Sequence, residues 1–568
     1  MPSCVSILLN RLKPAEASSR RDRVAIYLIA MLHVVAVIIM GATEGDLVAK
    51  AAFLLVWTLL NFFWLALVRR PAVAALISLE LVVVLTLLSR FKYDKLWITV
   101  DFVDLMIIDQ DTAAFLLAAF PSLRGWIVLA ATGTAALLIA AWRLDRYRVR
   151  MGASLIGASL CMVALVTLSL SFPTDLHENF VGQNYVSKFA RTGVEAIHEF
   201  VSHGYLESDA SVAGSLPTAS TACHPSRKLP HIILLHDESS FDISAAPGIK
   251  VPPGYHRHFQ SLDGKARKLV VEGVGGPSWF TEYNVLTGLS ARSYGRFVTS
   301  VTRIAAGRVS RGLPHSLSRC GYKTFSLYPF YGAFLDSRAF QMTVGIANYL
   351  DMLDLGTREF EADSFYFDRT IEIIEHERGT GPLFLYVYTE ANHFPWDTRL
   401  RPELTPDWRD LGNDPDIEEY IRRQGMTARD YSRLLERLAQ EFPTESFLIL
   451  RYGDHQPQFG LRIIEPSLSK EALAQRLKDL DPRYLTTYYA IDAVNFTPAD
   501  LSSALDTLNA PYLPLVIQEA AGVPLDPSFS EQKEILQRCD GVFYRCRSGR
   551  EARRFNRLLI RAGLVKGL

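Results

Sequence analysis

Before residue 175 the chain carries five apolar stretches, Val24 to Gly41, Ala51 to Val68, Ala72 to Ser89, Trp126 to Trp142 and Gly152 to Ser171. Each is close to the roughly 20 residues that a helix needs to cross hydrocarbon. One such stretch is readily a buried helix of a soluble protein; five in succession with almost no charge predict a membrane-spanning bundle. Glu80 is the one carboxylate inside a span, so it is expected to face other helices or water. A cleaved signal peptide is not expected, because further spans follow the first and no small-residue cleavage site stands out.

Basic residues orient the bundle. Arg11, Lys13, Arg20, Arg21 and Arg23 precede the first span, Arg69 and Arg70 follow the second, and Arg143, Arg146, Arg148 and Arg150 follow the fourth. These segments alternate, so all can be cytoplasmic at once. The opposite loops carry Glu44, Asp46, Asp94, Asp101, Asp104, Asp109 and Asp111, along with the basic group Arg90, Lys92 and Lys95. An odd number of spans then places everything after Ser171 outside the cytoplasm. The segment Leu96 to Phe120 is apolar but interrupted by aspartates. Crossing would bring the count to six and the rest of the chain inside; uncompensated carboxylates favour an interfacial or re-entrant segment instead.

Residues 173–228 read as a linker, with an amphipathic helix near Tyr185 to Phe200 and a Ser/Ala/Thr-rich tract at Ser208 to Ala222. Beyond it, residues 229–568 alternate strands and helices. HIILLHDES, KTFSLYP, PLFLYVYTEAN and SFLILRYGDH are apolar runs ending in polar residues, the form of buried parallel strands. This pattern predicts an α/β domain whose sheet is covered on both faces. The 60 basic and 60 acidic residues balance, which gives no footing for nucleic acid.

The chemistry concentrates where those strands end, as ligand sites do in such sheets. KLVVEGV (Lys268 to Val274) reads as a strand, Gly275-Gly276-Pro277 breaks it, and Trp279, Tyr283, Leu286 and Leu289 recur at helical spacing. Ser278 therefore opens a helix, where its hydroxyl either caps the helix or faces a phosphate. Glu238, His393, Asp454 and His455 follow three of the other strands. Glu238, Asp454 and His455 form a donor set that suits Zn²⁺ or Mn²⁺ and leaves a position for a nucleophile oxygen. A metal ion there would lower the pKa of the Ser278 hydroxyl.

Cys4 and Cys161 belong to the apolar part, leaving Cys223, Cys320, Cys539 and Cys546 beyond it. Outside the cytoplasm these are expected to form disulfides. Only six residues separate Cys539 from Cys546, which favours their pairing; Cys223 with Cys320 follows by elimination. Free thiols, or zinc on Cys539 and Cys546, are the alternatives.

Glu238-Ser after a strand, Gly-Pro-Ser278 before a helix ending in Leu-Thr-Gly-Leu, Asn392-His393-Phe-Pro and Tyr-Gly-Asp454-His455 resemble the motifs of the sulfatase-like branch of the alkaline phosphatase superfamily. The likeness extends over about residues 229 to 525. It is greatest to the membrane-anchored lipoteichoic acid synthases and their relatives, the phosphoglycerol and phosphoethanolamine transferases. The resemblance implies a three-layer α/β/α catalytic domain outside the cytoplasm, anchored by five helices in a bacterial inner membrane. It implies one divalent metal ion, Zn or Mn, on Glu238, Ser278, Asp454 and His455. Ser278 would be the nucleophile, and His393 would bind the phosphate or protonate the leaving oxygen. Arg338 would hold the head-group phosphate, although alignment there needs one inserted residue. The donor would be a phospholipid, the acceptor an envelope glycan or glycolipid, and the intermediate a phosphoryl-serine. Serine stands where the synthases commonly have threonine, and Trp279 follows it. A sulfatase proper would need Pro and Arg after the nucleophile, which Ser278-Trp-Phe-Thr-Glu lacks; ester hydrolysis and a metal-free binding module remain the alternatives.

Overall fold

The computed structural model describes residues 20–108, 110–120, 122–217 and 223–567. Cys4, Arg11, Lys13, Asp109 and the end of the Ser/Ala/Thr tract, residues 218–222, lie outside the described residues. The chain divides into two compact units, one of residues 1–102 and 116–198, the other of residues 103–115 and 199–568.

The first unit holds α1 (Arg20–Thr43), α2 (Leu47–Val68), α3 (Pro71–Leu96), α5 (Leu123–Leu144) and α6 (Met151–Ser171). All five are long and apolar enough to cross a membrane. Trp126, Ile127, Val128 and Leu129 are each more than half exposed, an arrangement that suits a lipid solvent and not water. The boundaries follow local chemistry. Asp46 accepts the Ala49 N–H at the start of α2, and Pro71, lacking an N–H, occupies the first turn of α3. The aspartate-rich segment contains α4 (Gln110–Ala119), ten residues and about half of what a span requires. Residues 103–115 group with the second unit, where the Arg303 guanidinium donates to the Met106 carbonyl. The amphipathic helix α7 spans Tyr185–His203, and the division between units falls within it.

The second unit is built on one sheet of eight strands: β1 (His231–Asp237), β2 (Arg267–Val270), β3 (Lys323–Leu327), β4 (Asn348–Leu350), β5 (Leu383–Tyr388), β6 (Phe447–Gly453), β7 (Thr486–Val494) and β8 (Thr507–Asn509). Their spatial order is β4-β3-β5-β1-β6-β7-β2-β8. β1 runs parallel to both neighbours, while β7 is antiparallel to β6 and β2. Ile233 and Leu235 of β1 pack under α9 (Asp363–Glu377) and α10 (Pro415–Glu441) through Ile371, Ile374, Leu434 and Leu438. α8 (Ser278–Thr287) packs with α11 (Leu513–Ala521), which in turn packs on β6. The result is the three-layer α/β/α arrangement expected of the sequence.

One expectation needs correction. The strand read as Lys268 to Val274 ends at Val270, because Glu272 turns away to accept hydrogen bonds from Asn284 and Ser290 near the far end of α8. The four runs read as parallel strands, β1, β3, β5 and β6, do run parallel; β7 was not anticipated, and the short strands β4 and β8 extend the edges of the sheet. Cys223–Cys320 and Cys539–Cys546 are bonded, with Cα atoms 5.1 and 5.8 Å apart, and among the described residues Cys161 is a free thiol.

Candidate active site

Strand register assembles the site. Asp237 of β1 lies opposite Gly453 of β6, so Glu238 and Asp454, the next residues on each chain, emerge side by side at the same end of the sheet. Gly453 is required there, since a Cβ would lie 1.8 Å from the Ser240 carbonyl. Ser239 adopts a φ of 51°, which turns its N–H onto Asp454 Oδ1 at 2.7 Å and leaves its hydroxyl to donate to Glu238 Oε1 at 2.7 Å. After β2, Gly275 takes a φ of 69° and Pro277 stands before the first turn of α8, which aims Ser278 back at the strand ends.

Ser278 Oγ donates to Glu238 Oε2 at 3.2 Å and lies 3.1 Å from His455 Nε2. It makes no helix-capping bond, and Pro277 rather than Ser278 occupies the cap position. His455 Nδ1 is 2.9 Å from the Gln456 carbonyl, which can only accept; a proton therefore sits on Nδ1, and in the neutral ring Nε2 is a lone pair. That lone pair is 3.2 Å from Asp454 Oδ2 and 3.5 Å from Glu238 Oε1.

These donors fit a divalent ion. Ligands about 2.0–2.1 Å from a tetrahedral ion stand about 3.3 Å from one another, the spacing found here. Asp454 Oδ2 and His236 Nε2 are both buried without a hydrogen-bond partner, a pairing of donor atoms that a cation would satisfy. His236 escaped the sequence reading. It lies on β1 two residues before Glu238, which directly follows the strand, hence on the same face, and that spacing was the available signal.

His393 follows β5 in a buried loop. Its Nδ1–H donates to the Phe394 carbonyl at 2.7 Å, and its ring stacks on Phe394 and Phe360 with centroids 4.3 and 5.5 Å away. Burial lowers its pKa more than the nearby Glu238 charge raises it, so the imidazole is neutral at neutral pH. Arg423 of α10, also missed from sequence, pins this loop by donating to the carbonyls of Ala391, His393, Pro395 and Thr398 at 2.8 to 3.3 Å. The structure does not gather Arg338 into the cluster. Its guanidinium is paired with Asp351 at 2.8 Å and Asp354 at 2.9 Å, over the Tyr349 ring.

Residues 278–476 match the model of the sulfatase family. No curated protein matches the chain by sequence. Among solved structures it is similar to the phosphoglycerol transferase GacH of Streptococcus pyogenes in complex with sn-glycerol-1-phosphate, at 14% identity and a TM-score of 0.46 over 60% of this chain and 87% of that one. The lipoteichoic acid synthase LtaP of Listeria monocytogenes aligns at 14% identity and a TM-score of 0.38, over 52% of this chain and 73% of that one. The lipooligosaccharide phosphoethanolamine transferase EptA of Neisseria meningitidis aligns at 11% identity and a TM-score of 0.45, over 85% of this chain and 96% of that one.

Proposed function

We propose that this chain, an enzyme of the sulfatase-like branch of the alkaline phosphatase superfamily, moves a phosphoryl head group from a phospholipid to a hydroxyl of an envelope glycan or glycolipid. The head group is phosphoglycerol or phosphoethanolamine, and the group passes through Ser278. The observation that carries the reading is the Ser278 hydroxyl, buried at the start of α8 within 3.2 Å of Glu238 and 3.1 Å of His455.

In the first displacement Ser278 Oγ bonds to phosphorus, and the bond from phosphorus to the diacylglycerol oxygen breaks. The serine proton ends on that oxygen, so diacylglycerol leaves neutral. Neutral His393, with Nδ1–H fixed on Phe394, offers Nε2 to take up a proton and hand it to the leaving oxygen. In the second displacement the acceptor hydroxyl attacks phosphorus, its proton passes to His393, and Ser278 Oγ departs and is reprotonated. A divalent ion, Zn or Mn, held by Glu238, Ser278, Asp454 and His455, would supply charge neutralisation and a lower hydroxyl pKa. Arg338 enters only at the edge of the head group, because a phosphate would compete for it with Asp351 and Asp354.

The five apolar helices support a donor drawn from the bilayer. Two disulfides and the distribution of basic residues support a catalytic unit outside the cytoplasm of a bacterial inner-membrane protein. The test is diacylglycerol release from vesicles of phosphatidylglycerol or phosphatidylethanolamine by the purified full chain. Release from one or both, lost in Ser278→Ala, is expected. Turnover confined to soluble phosphate or sulfate esters would establish a hydrolase instead.

A further inference from the structure

Beside the two carboxylates stands an imidazole that the reaction above leaves without a task. We propose that His236 is a further ligand of the divalent ion, through Nε2, and that Tyr386 and Tyr452 hold it in the tautomer that makes it one. The proposal rests on the reading that Glu238, Asp454, His455 and Ser278 hold such an ion.

Alternation along β1 sends Asp237 to one face, against His258, and His236 and Glu238 to the other. His236 and Asp454 are both 0% exposed, and His236 Nε2 lies 3.1 Å from Asp454 Oδ2, yet neither atom has a hydrogen-bond partner. A neutral imidazole carries one N–H. Placed on Nε2, that hydrogen would be a buried donor misdirected from the carboxylate beside it. Placed on Nδ1, it is given to the hydroxyls of Tyr386 at 2.8 Å or Tyr452 at 2.9 Å, which are bonded to each other at 3.1 Å. Nε2 is then a lone pair facing a carboxylate oxygen, an arrangement that repels unless a cation lies between.

The ring is also locked in plane. It stacks on Tyr388 with centroids 3.7 Å apart and an interplanar angle of 17°, and the Tyr388 hydroxyl donates to Glu238 Oε2 at 2.8 Å. One side chain thus fixes both the imidazole and the carboxylate two residues away. One donor atom each from His236, Glu238 and Asp454 lie within 4.8 Å of one another. The competing arrangement is an imidazolium paired with Asp454, which would bring the same atoms together without a metal bond.

A count of metal-bound imidazoles separates the two. The full chain in detergent is stripped with chelator and reloaded with Co²⁺, and X-ray absorption at the cobalt edge counts the rings. Two are expected in the wild type, from His236 and His455, and one in His236→Gln, with Co²⁺ affinity weakened about tenfold or more. Tyr386→Phe combined with Tyr452→Phe should keep two rings and bind Co²⁺ more weakly; unchanged affinity there overturns the tautomer. A single ring in the wild type overturns the ligand, and does so even if His236→Gln fails to fold. Two rings in a folded His236→Gln overturn it equally. Co²⁺ binding that survives undiminished in both Glu238→Ala and Asp454→Ala would instead remove the metal site on which the proposal rests.

Discussion

Ser278 draws its reactivity in this account from its neighbours, and the residues around it assign different tasks to chemically similar groups. Thr281 and Thr287 share its helix, but their hydroxyls already donate to the carbonyls of Asp454 and Tyr283 at 2.7 and 2.6 Å. Ser278→Thr is therefore expected to retain turnover, while Ser278→Ala should lose about 10⁴-fold or more, measured as diacylglycerol release. For His393 the sign is set by its lowered pKa: the neutral, proton-accepting form persists below the ordinary value of 6.5. Activity should hold as pH falls to that region and decline below it, on a limb that His393→Gln lacks; the same limb in that variant would give the proton to another group. That Glu238, Asp454 and His455 come together was legible because each follows an apolar run at a strand end. His236 was not, since it belongs to the run itself, and Arg338 was legible as a motif while the carboxylates that hold it lay further along the chain.

Elements rather than single residues decide how the His393 loop is held. Arg423 reaches it from the middle of α10 and is itself paired with Glu419 at 2.6 Å, in a helix whose charge pattern alone reads as a solvated surface. Arg423→Ala frees four carbonyls, so the loop should loosen: kcat is expected to fall about 10- to 100-fold with Co²⁺ affinity unchanged. A matching loss of metal would place the effect at the strand ends instead. The parallel strands could be read from their continuous apolar runs. The direction of β7 could not, because its sequence is that of any buried strand and only pairing with β6 and β2 reverses it. The disulfides differ in what they close. Cys223–Cys320 spans 97 residues and Cys539–Cys546 spans 7, so chain entropy assigns the first about 4–5 kcal/mol and the second about 2–3 kcal/mol. Denaturant unfolding of Cys223→Ser and Cys539→Ser chains should preserve that order.

For the chain as a whole, the proposed topology has five spans, with the α/β unit outside the cytoplasm. Five spans and a ten-residue α4 give an odd count. An alkaline-phosphatase reporter fused after Ser171 should be active and one fused after Arg70 silent. Silence at both sites would put the second unit in the cytoplasm and leave its disulfides unexplained. The bundle was the most legible part of the sequence, because hydrocarbon imposes one length and one composition. The division inside α7 was the least, because where one compact unit gives way to the next depends on packing and not on periodicity.

The covalent step is the claim on which these scales converge. The full chain is incubated with phospholipid donor in the absence of acceptor, and its peptides are analysed by mass spectrometry. The account predicts a head-group phosphate on Ser278, absent from Ser278→Ala and cleared on addition of acceptor. An adduct on any other residue, or full turnover by the alanine variant, would contradict it.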